Sequence, residues 1–149
     1  MKIKFYVHEY YWPPKNNKPE SRHLARYAKL QEAPPELEMI YTSYIFDAIA
    51  SDFRYQLLTS CAEILNEIKY IEEGRKKEFV FYGDAFIHRI KKDFVSFEHS
   101  VFGNCDEWSI QSFPLSHYKI ALDGWKKFCA MPESTASELI IDLPQYTHQ

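Results

Sequence analysis

Residues 79–131 read FVFYGDAFIHRI (79–90), KKDFVSFEHSVFGNCDEWSIQSFP (91–114) and LSHYKIALDGWKKFCAM (115–131). The first two stretches are short runs of aromatic and β-branched residues separated by turn residues. Gly83-Asp84-Ala85 joins a strand at 79–82 to one at 86–90, and Lys91-Lys92-Asp93 turns the chain into 94–102. Gly103-Asn104 turns it again into 108–113. Three consecutive hairpins make a four-stranded antiparallel meander. Pro114 then breaks the strand pattern. Tyr118, Ala121, Leu122, Trp125 and Phe128 follow at helical spacing, so a helix runs to about Ala130, with Ser116 as its expected N-cap. Gly124 inside it costs about 1 kcal/mol relative to Ala and points to close helix–sheet approach.

The rest of the chain is read outward from that segment. Residues 2–8 alternate, with Ile3, Phe5 and Val7 on one face, and predict a strand. Pro13, Pro14, Asn16, Asn17 and Pro19 predict an irregular loop, and Leu24, Tyr27 and Leu30 a short helix over 21–31 that Pro34-Pro35 ends. A helical pattern without Gly or Pro runs from Tyr44 to Glu73, with Ser43 as N-cap and Gly74 as the terminating glycine. Its apolar stripe includes Phe46, Ile49, Phe53, Leu57, Cys61, Ile64, Ile68 and Ile71. At about 45 Å it is long for this domain, so a bend or break near Ser51-Asp52 is expected. Residues 139–144, LIIDLP, could add an edge strand. The expected architecture is one α+β domain over residues 1–149. A meander of four to five strands packs on a long central helix and a C-terminal helix.

Composition narrows the function classes. The 149 residues are 46% apolar and 17% aromatic, and carry a net charge of −3. That charge argues against direct nucleic-acid binding as the main task. No window is apolar enough for a membrane span, and the N-terminus lacks a signal-peptide pattern. Cys61, Cys105 and Cys129 are an odd, scattered set, which suits a reducing, cytoplasmic setting.

Chemistry is sparse. His88 and His99 fall on neighbouring strands, but a turn centred at Lys92 sets His88 opposite about Ser96, so they are not paired ligands. No zinc spacing, nucleophile elbow or Gly-rich phosphate loop is present. Glu98 and His99 are adjacent in a strand and point to opposite faces. Cys61 and Cys129 lie on apolar helix stripes and read as core thiols. No catalytic residue, metal or cofactor is expected.

Two features suggest a binding surface. From Glu32 to Glu73 nine carboxylates face only Arg54 and Lys69, a net of −7, largely on the long helix. Within it Glu63, Glu67 and Tyr70 share one line off the apolar stripe. The bland reading is a solvated helix face; the functional one is an acidic surface that docks a basic protein. Tyr10, Tyr11 and Trp12 cluster before Pro13-Pro14, as a cover over a sheet edge or as interface anchors.

The 79–131 pattern, with its Leu115-Ser116 helix start and its Trp125–Phe128 pair, resembles the C-terminal half of small bacterial immunity proteins. In particular it is similar to partners of polymorphic toxins, including those of contact-dependent growth inhibition systems. The resemblance covers about a third of the chain, and residues 1–75 match no comparable pattern. It implies a non-catalytic inhibitor that binds a cognate toxin domain, a nuclease by expectation, in the cytoplasm and blocks its active site or substrate access. Two other readings compete with it. One is a small enzyme or ligand-binding domain with a pocket between sheet and long helix, where His88, Glu98 and His99 would be inspected first. The other is a regulatory adaptor for another protein.

Overall fold

The computed structural model describes residues 1–53 and 58–145. It is an α+β fold with two antiparallel sheets. The first has the order β2-β1-β7, formed by Lys2–Trp12 (β1), Ser21–Gln31 (β2) and Glu138–Asp142 (β7). The second is the meander β3-β4-β5-β6, formed by Glu78–Tyr82, Phe86–Lys91, Phe94–His99 and Gln111–Pro114.

The β1–β2 hairpin overturns two expectations. Residues 21–31 are a strand, in register with β1 from Lys2↔Gln31 to Trp12↔Ser21. Residues 13–20 are the hairpin tip. Asn16 and Asn17 both take positive φ, 51° and 65°, and the Lys18 N–H donates to the Lys15 carbonyl at 3.0 Å. This is the two-residue turn whose twist matches paired strands, and Asn tolerates its left-handed backbone. Leu24, Tyr27 and Leu30 satisfied a helical template by spacing alone. The pairing partner decides the matter: Ala28 and Leu30 lie opposite Phe5 and Ile3, and all four are buried.

The predicted long helix is also divided. Pro35 opens a helix, Pro35–Tyr41 (α1), at its first position, where a missing N–H costs nothing, so Pro34-Pro35 starts a helix instead of ending one. A π-helical stretch, Thr42–Phe46, leads into Asp47–Asp52 (α2). The run stops at Phe53 (φ −124°, ψ 48°), beside the expected break. Leu58–Glu72 (α3) resumes it. Leu57 of the predicted stripe and Arg54 of the charge count lie outside the described residues. Gly74 terminates α3 at φ 73°, with the Arg75 N–H donating to the Tyr70 carbonyl at 2.9 Å.

The central helix is the C-terminal one, Leu115–Cys129 (α4), where sequence periodicity had placed the longer helix of residues 44–73. It begins directly after Pro114, without a side-chain cap from Ser116. It packs on both sheets and on α2 and α3. Trp125 and Phe128 meet Phe5 of the first sheet, at ring distances of 6.3 and 5.9 Å. Tyr118 meets Phe97 of the second at 5.7 Å. Gly124 sits where a Cβ would lie 2.5 Å from Ile141 Cδ1 and 2.7 Å from the Phe5 ring.

Gly124→Ala is therefore expected to destabilise the fold by about 1–3 kcal/mol through overpacking, although Ala is the better helix former. Urea unfolding would measure it. A variant as stable as the parent would contradict this packing.

Candidate partner-binding surface

The polar side chains nearest to an active-site arrangement are Asp52, His88 and Tyr118, one each from α2, β4 and α4. His88 Nε2 lies 2.7 Å from Asp52 Oδ2, and His88 Nδ1 lies 2.7 Å from the Tyr118 hydroxyl. Asp52 Oδ1 accepts the Ala85 N–H at 2.8 Å. All three residues are fully buried. Burial pushes the His88 pKa down, against the opposing pull of Asp52, and pushes Tyr118 well up. The network thus assigns a neutral imidazole that donates from Nε2 to the carboxylate and accepts the phenol proton at Nδ1. Gly83 leaves the room Asp52 needs, since any Cβ there would overlap its carboxylate. Sealed from solvent, the trio ties helix to sheet.

The other candidate chemical residues are separate. His88 pairs across the strands with Phe97, one residue beyond the expected Ser96, because only Lys92 and Asp93 lie between the two strands. His99 pairs with Phe86 and packs on Phe102 and Trp108, and its Nδ1 accepts the Val101 and Phe102 N–H groups. Glu98 makes an ion pair with Arg89. Burial lifts the thiols of Cys61 to about 12 and Cys129 to about 11, far from thiolate chemistry. Among the described residues, no group of three or more His, Cys, Asp or Glu is placed to hold a metal ion. No described helix is long and apolar enough to cross a membrane. α3 packs on α4 and on β3, the elements between which a pocket was one expectation.

What stands out on the surface is the hairpin. The core face of β1 presents Ile3, Phe5 and Val7. The opposite face presents Tyr6, His8, Tyr10 and Trp12, with His23 and Tyr27 from β2. These rings interlock. Tyr27 meets Tyr6 at 5.8 Å and Tyr10 at 6.0 Å, His8 meets Tyr10 at 5.3 Å, and Trp12 meets His23 at 5.6 Å. Lys29 covers the Tyr6 ring. Tyr10, Trp12 and His23 line a shallow apolar cleft, and Trp12 is 64% exposed. Beyond Tyr6 β7 no longer pairs with β1, so the ribbon continues as two strands. Tyr10 and Trp12 thus fall on one surface. Tyr11 takes the opposite face and donates to Glu20 at 2.6 Å.

The acidic line on α3 is more engaged. Glu67 pairs with Lys76 at 2.6 Å, Glu72 with Lys119 at 2.8 Å and Glu73 with Arg75 at 3.6 Å. Arg75 also stacks on Tyr70, 4.7 Å from its ring centre. Of the three singled-out residues, Glu63 is exposed and has no ion-pair partner among the described residues. Of the nine carboxylates counted along the sequence, the α3 residues Glu67, Glu72 and Glu73 are thus answered in space by Lys76, Lys119 and Arg75. Sequence reading named Tyr10 and Trp12 but not Tyr6, His8, His23 and Tyr27. Their alternation at every second residue was the available signal, obscured by the helix assigned to 21–31.

Comparison with family models, curated proteins and solved structures finds no match to this chain.

The buried imidazole has a consequence for stability. With its folded pKa below the ordinary 6.5, His88 resists a proton that the unfolded chain accepts. His117, buried and 2.7 Å from the Tyr41 hydroxyl, is shifted the same way, chiefly by burial. Stability is full above about pH 6.5 and falls as the pH drops below it, by up to about 1.4 kcal/mol per pH unit for each histidine. Urea midpoints at pH 7.5, 6.5 and 5.5 would show the decline; a flat profile would contradict it.

Proposed function

We propose that this protein is a non-catalytic immunity protein that binds and neutralises a cognate toxin domain in the cytoplasm, docking through the outer aromatic face of the β1–β2 hairpin. The observation that carries the reading is the placement of Tyr10, Trp12 and His23 around one exposed cleft on a projecting two-stranded ribbon. Tyr and Trp supply large rigid contact area at little entropic cost, and they dominate binding hot spots. A large aromatic left at 64% exposure on a paired strand adds little to its own fold.

The resemblance of residues 79–131 to immunity proteins supplies the partner class. In this reading the meander and α4 are the scaffold that holds the hairpin, and toxin recognition belongs to the N-terminal part. A nuclease toxin remains the expected target through its resemblance to such systems. The α3 carboxylates give that expectation modest support, because most of them already have cationic neighbours.

The test uses any toxin domain found encoded beside this chain, with binding measured by calorimetry and neutralisation by rescue of cells expressing it. Trp12→Ala and Tyr10→Ala are each expected to weaken affinity by roughly 30-fold or more, the loss of about 2 kcal/mol typical of an anchor. Glu63→Lys should change it by less than about 5-fold. Loss of binding in Glu63→Lys with Trp12→Ala unaffected would move the interface to α3. Absence of any binding by the parent chain would reject the immunity reading.

A further inference from the structure

The same hairpin carries an open hydrogen-bonding edge. β1 is eleven residues long, and β7 pairs only with Lys2–Tyr6. From Val7 to Trp12 one side of β1 has β2, and no described strand pairs with the other. The chain that could have covered this edge is committed elsewhere. Just before β7, Arg26 holds Glu133 at 2.7 Å and the Met131 carbonyl at 3.1 Å, and Ser137 bonds back to Pro132 at 2.6 Å. The edge also lacks the usual protection. It contains no Lys, no Pro and one charge, Glu9, which is drawn across to Arg22 on β2. Six residues present roughly 20 Å of backbone donors and acceptors, enough for one added strand.

We infer that an extended, acidic segment of the partner protein adds as a strand to the Val7–Trp12 edge of β1. This rests on the reading of the hairpin as the docking surface and specifies what docks there. Main-chain pairing would supply a large part of the affinity. His8, Tyr10 and Trp12 alternate along the edge and flank the incoming side chains on the outer face. The acidic character follows from charge. Residues 1–31 carry seven Lys or Arg against two Glu; four of those cations have carboxylate partners, so the charge that faces a partner is that of Lys15, Lys18 and Lys29. Lys15 and Lys18 flank the turn at the tip without a carboxylate partner among the described residues. A second copy of this chain is disfavoured, because β1-to-β1 pairing would bring two positive hairpins together. A nucleic-acid strand is disfavoured too. Lys2, Lys4, Arg22 and Arg26 are already paired with carboxylates, which leaves few cations for phosphates.

The test needs no knowledge of the toxin. A phage-displayed random dodecapeptide library is selected on the immobilised full chain. Successive N–H groups in a strand point to opposite sides, so of His8→Pro and Glu9→Pro one removes a donor from the open edge and the other from the β1–β2 ladder. The variant that keeps the native circular dichroism is the edge variant. The inference expects enriched peptides that alternate apolar residues with Asp or Glu. Their affinity should fall at least 10-fold in the edge variant and at least 5-fold in Lys15→Glu/Lys18→Glu. Bound to the parent chain, they should slow amide exchange within Val7–Trp12, a readout that stands even if both proline variants unfold. No enrichment, enrichment of basic peptides, or protection elsewhere would overturn it. So would displacement of the peptides by a single-stranded (dT)20 oligonucleotide, or dimerisation of the chain through this edge. Peptide binding that meets every expectation, with no capture of the neighbouring toxin domain, would reject the immunity reading alone.

Discussion

The structure depends on one buried carboxylate. Asp52 ends α2, receives a backbone N–H from the β3–β4 turn and binds His88 of β4, which is held in turn by Tyr118 of α4. Three parts of the chain distant in sequence meet in three hydrogen bonds, with a fourth close by, from the Trp125 indole to the Phe53 carbonyl at 2.9 Å. Buried polar groups are expensive when one partner is missing, at roughly 1–3 kcal/mol for an unsatisfied neutral group and more for a carboxylate. The set therefore fixes where α2 stops and how α4 sits against the meander. The same need explains Gly83, whose missing side chain makes the space that Asp52 fills.

Around that tie, α4 divides the interior in two. One side packs on the first sheet through Trp125, Phe128 and the notch at Gly124; the other packs on the meander through Tyr118. The first sheet has three strands at its base, where α4 supports it, and two beyond Tyr6, where β7 ends. Its base is thus backed by α4, and the outer face that carries Tyr10 and Trp12 beyond Tyr6 is left open.

Much of this was legible in the sequence. The meander and α4 follow from alternation, turn residues and strict helical spacing, because those residues meet their partners locally. Gly124 signalled a close approach, and the break near Asp52 was foreseen from helix length. What could not be read were non-local decisions. Residues 21–31 fit a helix by spacing and became a strand because β1 was there to pair with them. Asn16-Asn17 was a hairpin turn hidden among prolines. The acidic block on α3 depended on which cations the fold would bring near it, and Arg75, Lys76 and Lys119 come from beyond the counted window. Asp52, His88 and Tyr118 are separated by 36 and 30 residues, so no spacing rule could join them. The outer aromatic face was half visible: Tyr10 and Trp12 were named, while their neighbours across the ladder required the register.

The central proposal is that recognition belongs to the hairpin and that residues 79–131 are its support. Backbone amide chemical-shift mapping of the isotopically labelled chain, titrated with the toxin domain proposed as its partner, tests this most directly. The account predicts that the largest changes cluster in residues 7–12 and 21–27 and leave α3 and the meander nearly still. Changes centred on Glu63, Glu67 and Tyr70, with the hairpin unperturbed, would contradict it.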